Sequence, residues 1–164
     1  MACDVFALAN VGVQGLHPYQ PGKPIEELQR ELGLDSVVKL ASNENPLGPS
    51  PLAIAAAQTA LKQSHLYPDA SGFELKKKLA AKLAVHENQF TLGNGSNDVL
   101  DLIARTFLSA GSSAVFSQYA FIVYPIAVQA VGARAIVTPA KNWGHDLDAM
   151  AAAIAADTKV VFID

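Results

Sequence analysis

Three short runs rich in β-formers, Ala114–Ser117, Ala135–Thr138 and Lys159–Ile163, alternate with helical patterns over Phe121–Val131 and Leu147–Ala155. That alternation leaves a chain few choices, because successive strands joined through a helix lie parallel and bury both faces of their sheet. The expected class is α/β, a mainly parallel sheet in three layers with helices on its faces. Val160-Val161-Phe162-Ile163 reads as a buried strand of such a sheet, and the sequence stops one residue later at Asp164. Ligand sites in parallel sheets lie beyond the carboxyl ends of the strands, so the topology reads as incomplete at the place where a site forms. An unfinished sheet edge also implies poor solubility or association.

Upstream, helical patterns cover Pro51–Gln63, Gly72–Val85 and Asn97–Ser109, with a shorter piece over Ile25–Leu32. The first 50 residues are otherwise punctuated by glycine and proline and read as an irregular arm. An arm of that length implies packing on another surface. The expected organisation is thus residues 1–50 as the arm and 51–164 as a regular, truncated domain.

Gly93-Asn94-Gly95-Ser96-Asn97-Asp98 lies between a strand-like run, Phe90-Thr91-Leu92, and the amphipathic pattern of Val99, Leu100, Ile103, Ala104, Phe107 and Leu108. Glycines let a backbone turn sharply and approach a ligand, while the free N–H groups and dipole of the following helix favour an anion. Ser96 is the expected N-cap, and Asp98 and Asp101 suit the positive end of the dipole. A capped turn with no ligand fits the same residues. The dinucleotide fingerprint does not fit, since Asp98 stands where the third glycine should be.

Composition narrows the partners. With 16% charged residues and a net charge of −3, the chain advertises no basic face for nucleic acid. Lys76, Lys77, Lys78 and Lys82 lie mostly opposite Leu75, Leu79 and Leu83 and read as a solvated helix face. A single cysteine, Cys3, excludes an intramolecular disulfide and fits a reducing cytoplasm, and the four scattered histidines show no metal-ligand spacing. No apolar run is long enough to span a bilayer, and no basic-then-apolar leader opens the chain. Trp143 falls in a loop ahead of the Leu147 helix, which Asp146 is placed to cap.

Five motifs occur in order: His17-Pro18-Tyr19-Gln20-Pro21-Gly22, Leu40 to Gly48 with its Asn43-Glu44-Asn45-Pro46, Tyr67-Pro68-Asp69, the Gly93–Asp98 turn, and Ser117-Gln118-Tyr119-Ala120-Phe121-Ile122-Val123-Tyr124. The ordered set closely resembles the N-terminal half of the histidinol-phosphate aminotransferases, pyridoxal-phosphate enzymes of the aspartate-aminotransferase fold. Related enzymes on phosphorylated substrates, such as threonine-phosphate decarboxylases, share part of it.

The resemblance implies that the 51–164 region is the first part of a pyridoxal-phosphate-binding large domain, and that the arm opens the small domain. It implies that Gly95, Ser96 and Asn97 hold the cofactor phosphate, and that Tyr119 stacks on the pyridine ring. Tyr67 would reach the phosphate across a homodimer interface, and Tyr19, Glu44 and Asn45 would lie in the arm that closes over substrate. The residues alone leave other readings open: Tyr119 as a core tyrosine, Tyr67 as a turn residue, and Tyr19, Glu44 and Asn45 as loop formers. The family reaction exchanges histidinol phosphate and 2-oxoglutarate for imidazole-acetol phosphate and glutamate. Its Schiff-base lysine, the aspartate facing the pyridine nitrogen and the substrate arginines all match positions beyond Asp164, so no catalytic residue is assigned within this sequence. A fragment without turnover that binds phosphate or dimerises is the implied alternative.

Overall fold

A computed structural model describes residues 4–164, so Cys3 lies outside the described residues. The chain forms two compact units, one of Met1–Tyr19 with Thr91–Asp164 and one of Gln20–Phe90.

The first unit is built on three parallel strands, β1 (Ser113–Ser117), β2 (Arg134–Thr138) and β3 (Thr158–Val161), in the order β2-β1-β3. Central β1 is buried at all five positions, which explains why its sequence lacks polar alternation. Ser113 to Ser117 pair in register with Arg134 to Thr138 on one side. On the other side the register shifts between Ser113 and Ala114, so that Ala114 faces Val160. Side chains alternate across β1. Ala114 and Phe116 join a core with Ala104 of α5 (Ser96–Phe107) and Leu108 just after it, with Tyr124, Ala127 and Val128 of α6 (Val123–Ala130), and with Phe162. Tyr124 stacks on Phe162 with centroids 4.5 Å apart and meets Phe121 edge-on. On the opposite face α7 (Leu147–Ala152) packs against β1 and buries Met150. Helix, sheet and helix make the three layers expected of the class.

Polar groups tie the amino ends of the strands. Arg134 Nη2 reaches both carboxylate oxygens of Asp157, at 2.9 and 2.8 Å, and Ser113 Oγ bonds Asp157 and Thr158. The start of the chain contributes α1 (Val5–Leu8), capped by Asp4, whose carboxylate accepts from the Phe6 and Ala7 amides. Beyond α1, Gly12 lies so close to the end of α6 that an added Cβ would stand 2.2 Å from the Gln129 carbonyl oxygen. That part of the arm packs on its own unit.

The second unit is helical: α2 (Ile25–Leu32), α3 (Pro51–Ala60, continued as a 3-10 turn over Leu61–Gln63) and α4 (Phe73–Leu83, followed by a 3-10 turn over Glu87–Gln89). Pro51 opens α3 at a position where a missing N–H costs nothing, and alanine sustains the helix. Asp69 starts α4, its carboxylate accepting from the Ser71 amide and hydroxyl and from the Phe73 amide. These donors hold the Asp69 carboxyl below the usual range, the Phe73 amide most of all. The lysine face of α4 is largely solvated, yet Leu75 and Leu83 are also more than half exposed.

Two expectations need correction. Phe90-Thr91-Leu92 forms no strand: among the described residues none pairs with it in a ladder, and three β-formers without a partner remain irregular. Ser96 is not the N-cap of α5. Gly95 holds that position at φ 83°, so the chain enters the helix at Ser96, and the Asp98 carboxylate reaches back to the Asn94 amide at 3.0 Å. Asp101 pairs with Arg105 one turn on, at 2.6 Å, rather than facing the dipole alone. Asp146 caps α7 as expected, accepting from the Ala149 amide.

Candidate functional site

Apart from Tyr19 on the arm, the candidate groups of the sheet unit stand at the carboxyl ends of the strands or at the start of α5. The turn into α5 depends on two glycines for different reasons. At Gly93 a Cβ would stand 2.9 Å from Val99 Cγ2 and 3.1 Å from Asp98 Oδ2, so the helix start leaves no room for a side chain. At Gly95 space is open but φ is 83°, a conformation that side chains rarely adopt. The Gly95 amide bonds back to the Gly93 carbonyl. Ser96 and Asn97 then open α5, where first-turn amides have no intrahelical acceptor.

Beside this helix start lies an open cavity of about 450 Å³, lined by Ser96, Val99, Leu100, Phe121, Tyr124 and Asp164. Its walls are mostly apolar, with polar groups at the rim. Asp164 follows β3 and accepts the Phe121 amide at 2.9 Å through Oδ2, while Oδ1 stands 2.8 Å from His145 Nε2. Both oxygens therefore have partners. Tyr124 is 7% exposed, and burial, reinforced by the Asp164 charge, pushes its hydroxyl above the usual tyrosine value. The hydroxyl stays protonated at neutral pH and remains a donor.

Tyr119 leaves the end of β1 more than half exposed and stacks on Trp143, with centroids 5.0 Å apart and planes at 27°. It is the cavity's neighbour in sequence rather than one of its lining residues. Ser117 carries the buried side-chain oxygen that has no hydrogen-bond partner among the described residues.

Of the predicted site residues, the sheet unit thus holds Gly95, Ser96, Asn97 and Tyr119 on adjoining segments, with Tyr19 half exposed on the arm. In the helical unit Glu44 receives a hydrogen bond from Lys39 Nζ at 2.8 Å. Asn45 spends its side chain on its own turn, accepting from the Leu47 amide and donating to the Gly48 carbonyl. Tyr67 is fully exposed. Sequence reasoning missed Asp164 as a cavity wall, His145 as its partner, and Trp143 as a stacking ring. The Asn142-Trp143-Gly144 run was the available signal for the last, since asparagine before a residue needing positive φ marks a tight turn.

The donor set suits a phosphorylated aromatic ring. Two glycine-dependent bends present helix-start amides to an anion, an apolar cavity adjoins them, and an exposed tyrosine face stands at the neighbouring strand end. Among the described residues no helix is long and apolar enough to cross a membrane.

Comparison with known proteins places the chain in a family. Residues 35–164 match the family described as aminotransferase class I and II. The chain is 62% identical over 165 residues to histidinol-phosphate aminotransferase 2 of Pseudomonas fluorescens (strain Pf0-1), covering 99% of this chain and 45% of that protein. It is 60% identical to histidinol-phosphate aminotransferase 2 of Pseudomonas aeruginosa, covering 98% and 44%. A crystal structure of histidinol-phosphate aminotransferase from Sinorhizobium meliloti in complex with pyridoxal-5′-phosphate superposes with a TM-score of 0.81 at 25% identity, over 93% of this chain and 41% of that one. The chain therefore spans less than half the length of the curated relatives it matches.

Proposed function

The chain belongs to the class I and II aminotransferases, and on that premise we propose that it supplies the phosphate-binding part of a histidinol-phosphate transaminase that uses pyridoxal 5′-phosphate. The observation that carries the reading is the α5 start, where Gly93 and Gly95 bend the backbone and free the Ser96 and Asn97 amides beside an apolar cavity. Identity near 60% over nearly the whole chain to relatives of that name supports the substrate.

When bound, pyridoxal phosphate supplies the electron sink for moving an amino group between an amino and an oxo substrate. The residues of this chain bind and orient it. The Ser96 and Asn97 amides, backed by the α5 dipole, take the phosphate oxygens, with the Ser96 hydroxyl and Asn97 amide side chains within the same turn. The free face of Tyr119 holds the flat ring. The apolar wall of Val99, Leu100 and Phe121 excludes water from one flank, and the protonated Tyr124 hydroxyl offers a donor there. Glu44 and Asn45, with Tyr19, serve the substrate side of the whole enzyme. Tyr67, fully exposed, serves the phosphate of a second subunit in a homodimer. The setting is cytoplasmic amino-acid biosynthesis.

The test is binding of pyridoxine 5′-phosphate, which lacks the aldehyde and so cannot attach to surface lysines. Saturable binding that is lost in Asn97→Pro supports the reading, since proline removes one of the amides. Equal binding by Asn97→Pro, or none by the unsubstituted chain, overturns it. Turnover of histidinol phosphate with 2-oxoglutarate by the complete gene product, against decarboxylation of threonine phosphate, decides the substrate.

A further inference from the structure

Trp143 sits in a backbone conformation that its own side chain disfavours. Lys141 and Gly144 exchange both backbone hydrogen bonds, each at 3.0 Å, so Asn142 and Trp143 are the two central residues of a hairpin turn. Both have positive φ, 51° for Asn142 and 66° for Trp143. Two positive values mark a type I′ turn, in which asparagine suits the first position and glycine the second. A bulky residue at such a φ is a true outlier.

Burial does not account for it. Trp143 is 83% exposed, among the most exposed large side chains of its unit. Its ring contact is with Tyr119, in the stack described above. Both ends of that contact hang from fixed points. The Gln118 amide donates to the Thr138 carbonyl at 2.9 Å, carrying the β1–β2 ladder one step past the paired Ser117 and Thr138. On the far side of the turn, His145 is held by Asp164 after β3. The turn is thus anchored to two of the three strand ends, and the stack fixes Tyr119 relative to the sheet.

We propose that Trp143 is a positioning residue that backs one face of Tyr119 and so presents the other face to a flat phosphorylated ring. This deepens the cofactor reading above and rests on it for the ring's identity. The strained turn exists to place the indole: backbone strain that persists where nothing buries the side chain is a mark of a functional constraint.

Two measurements on the full 164-residue chain separate this inference from that reading. The first follows the Tyr119 ring resonances in protein carrying ring-labelled tyrosine, assigned through Tyr119→Phe among the four tyrosines. Trp143→Leu shifts them by removing the indole ring current, Trp143→Phe restores part of the shift, and the core Tyr124 signal stays in place as the control for folding. The second is the dissociation constant for pyridoxine 5′-phosphate, expected to rise roughly three- to ten-fold in Trp143→Leu and to recover in Trp143→Phe. Trp143→Gly relieves the turn yet weakens binding like Trp143→Leu, which a merely structural role would not do. On a Tyr119→Leu background, Trp143→Leu adds nothing further. An unmoved Tyr119 resonance, or equal binding by Trp143→Leu, overturns the inference. If the unsubstituted chain binds no pyridoxine 5′-phosphate, the cofactor reading fails, and the ring shifts alone decide whether Trp143 orients Tyr119.

Discussion

The two units bury their apolar residues to very different degrees. In the sheet unit apolar residues of α5, α6, β1 and Phe162 converge on one core, with Ala104, Ala114 and Val128 wholly inaccessible. In residues 20–90 Ala80 is the buried residue among those described, and the apolar side chains of α3 lie open, Leu52 at 83%. The difference is not helix quality. The N-terminal proline and alanine-rich body of α3 and the Asp69 group ahead of α4 are as sound as anything in the sheet unit. What differs is the presence of a sheet, whose central strand gives two helix layers a common surface to bury. Local propensity makes helices in both units, and only strand pairing converts them into a core.

The largest expected effects test that contrast directly. Phe116→Ala in β1 should cost about 3–5 kcal/mol in urea denaturation, because it leaves a cavity between Tyr124 and the rest of the cluster. Leu75→Ala on α4, at a position 52% exposed, should stay within about 0.5 kcal/mol. Comparable losses from the two would erase the distinction between the units.

The same contrast explains what could be read from the sequence. The helix–strand alternation after Asn97 was legible because each strand and its helices bury one another, and burial is what makes hydrophobic patterning informative. Phe90-Thr91-Leu92 misled because composition reports β-preference and not whether a neighbouring strand exists. Ser96 misled at finer scale: serine before an apolar helix satisfies the capping rule, but Gly95 completes the turn one residue earlier and Asp98 supplies the carboxylate. The glycine turn itself was legible, since both glycines are demanded by backbone geometry. The Trp143–Tyr119 stack was not: Asn142 signals a tight turn, but the pairing joins residues 24 positions apart through strand order, which no local rule specifies.

A middle tier of effects sharpens the contrast inside the sheet unit, between its core and its glycine turn. Gly93→Ala should destabilise by about 1–3 kcal/mol, since the Cβ meets Val99 Cγ2 and the crowded Asp98. Gly95→Ala meets no atom, and its cost of about 1–2 kcal/mol comes from φ alone. Both should weaken pyridoxine 5′-phosphate binding well beyond what their stability loss explains, measured by calorimetry at a temperature where each variant is folded. A variant that loses stability yet binds normally would make the turn structural only.

The smallest effects are electrostatic, and the two acid ones fall one in each unit. Asp157 in the sheet unit is held below the usual carboxylate range by Arg134 above all, and Asp69 in the helical unit by the Phe73 amide. For a carboxyl lowered by folding, the unfolded chain binds more protons through the acid range, so the stabilisation is complete above the unfolded value near 4 and is lost as pH falls through the folded value. Asp157→Asn should therefore flatten the acid limb of a pH–stability curve without moving the neutral plateau far, because its partner is solvent-exposed and screened. Asp69→Asn keeps an acceptor for the Phe73 amide but loses the charge, and should flatten the acid response of the α4 amide signals in NMR. At the alkaline end the sign reverses for Tyr124: folding raises its value, so stability present below about pH 10 is lost as pH climbs through the folded value. That loss belongs to the sheet unit alone. A melting curve in alkali that weakens the α3 and α4 signals before those of the sheet would show that Tyr124, buried at the heart of the only extensive core among the described residues, is not what governs the alkaline limit.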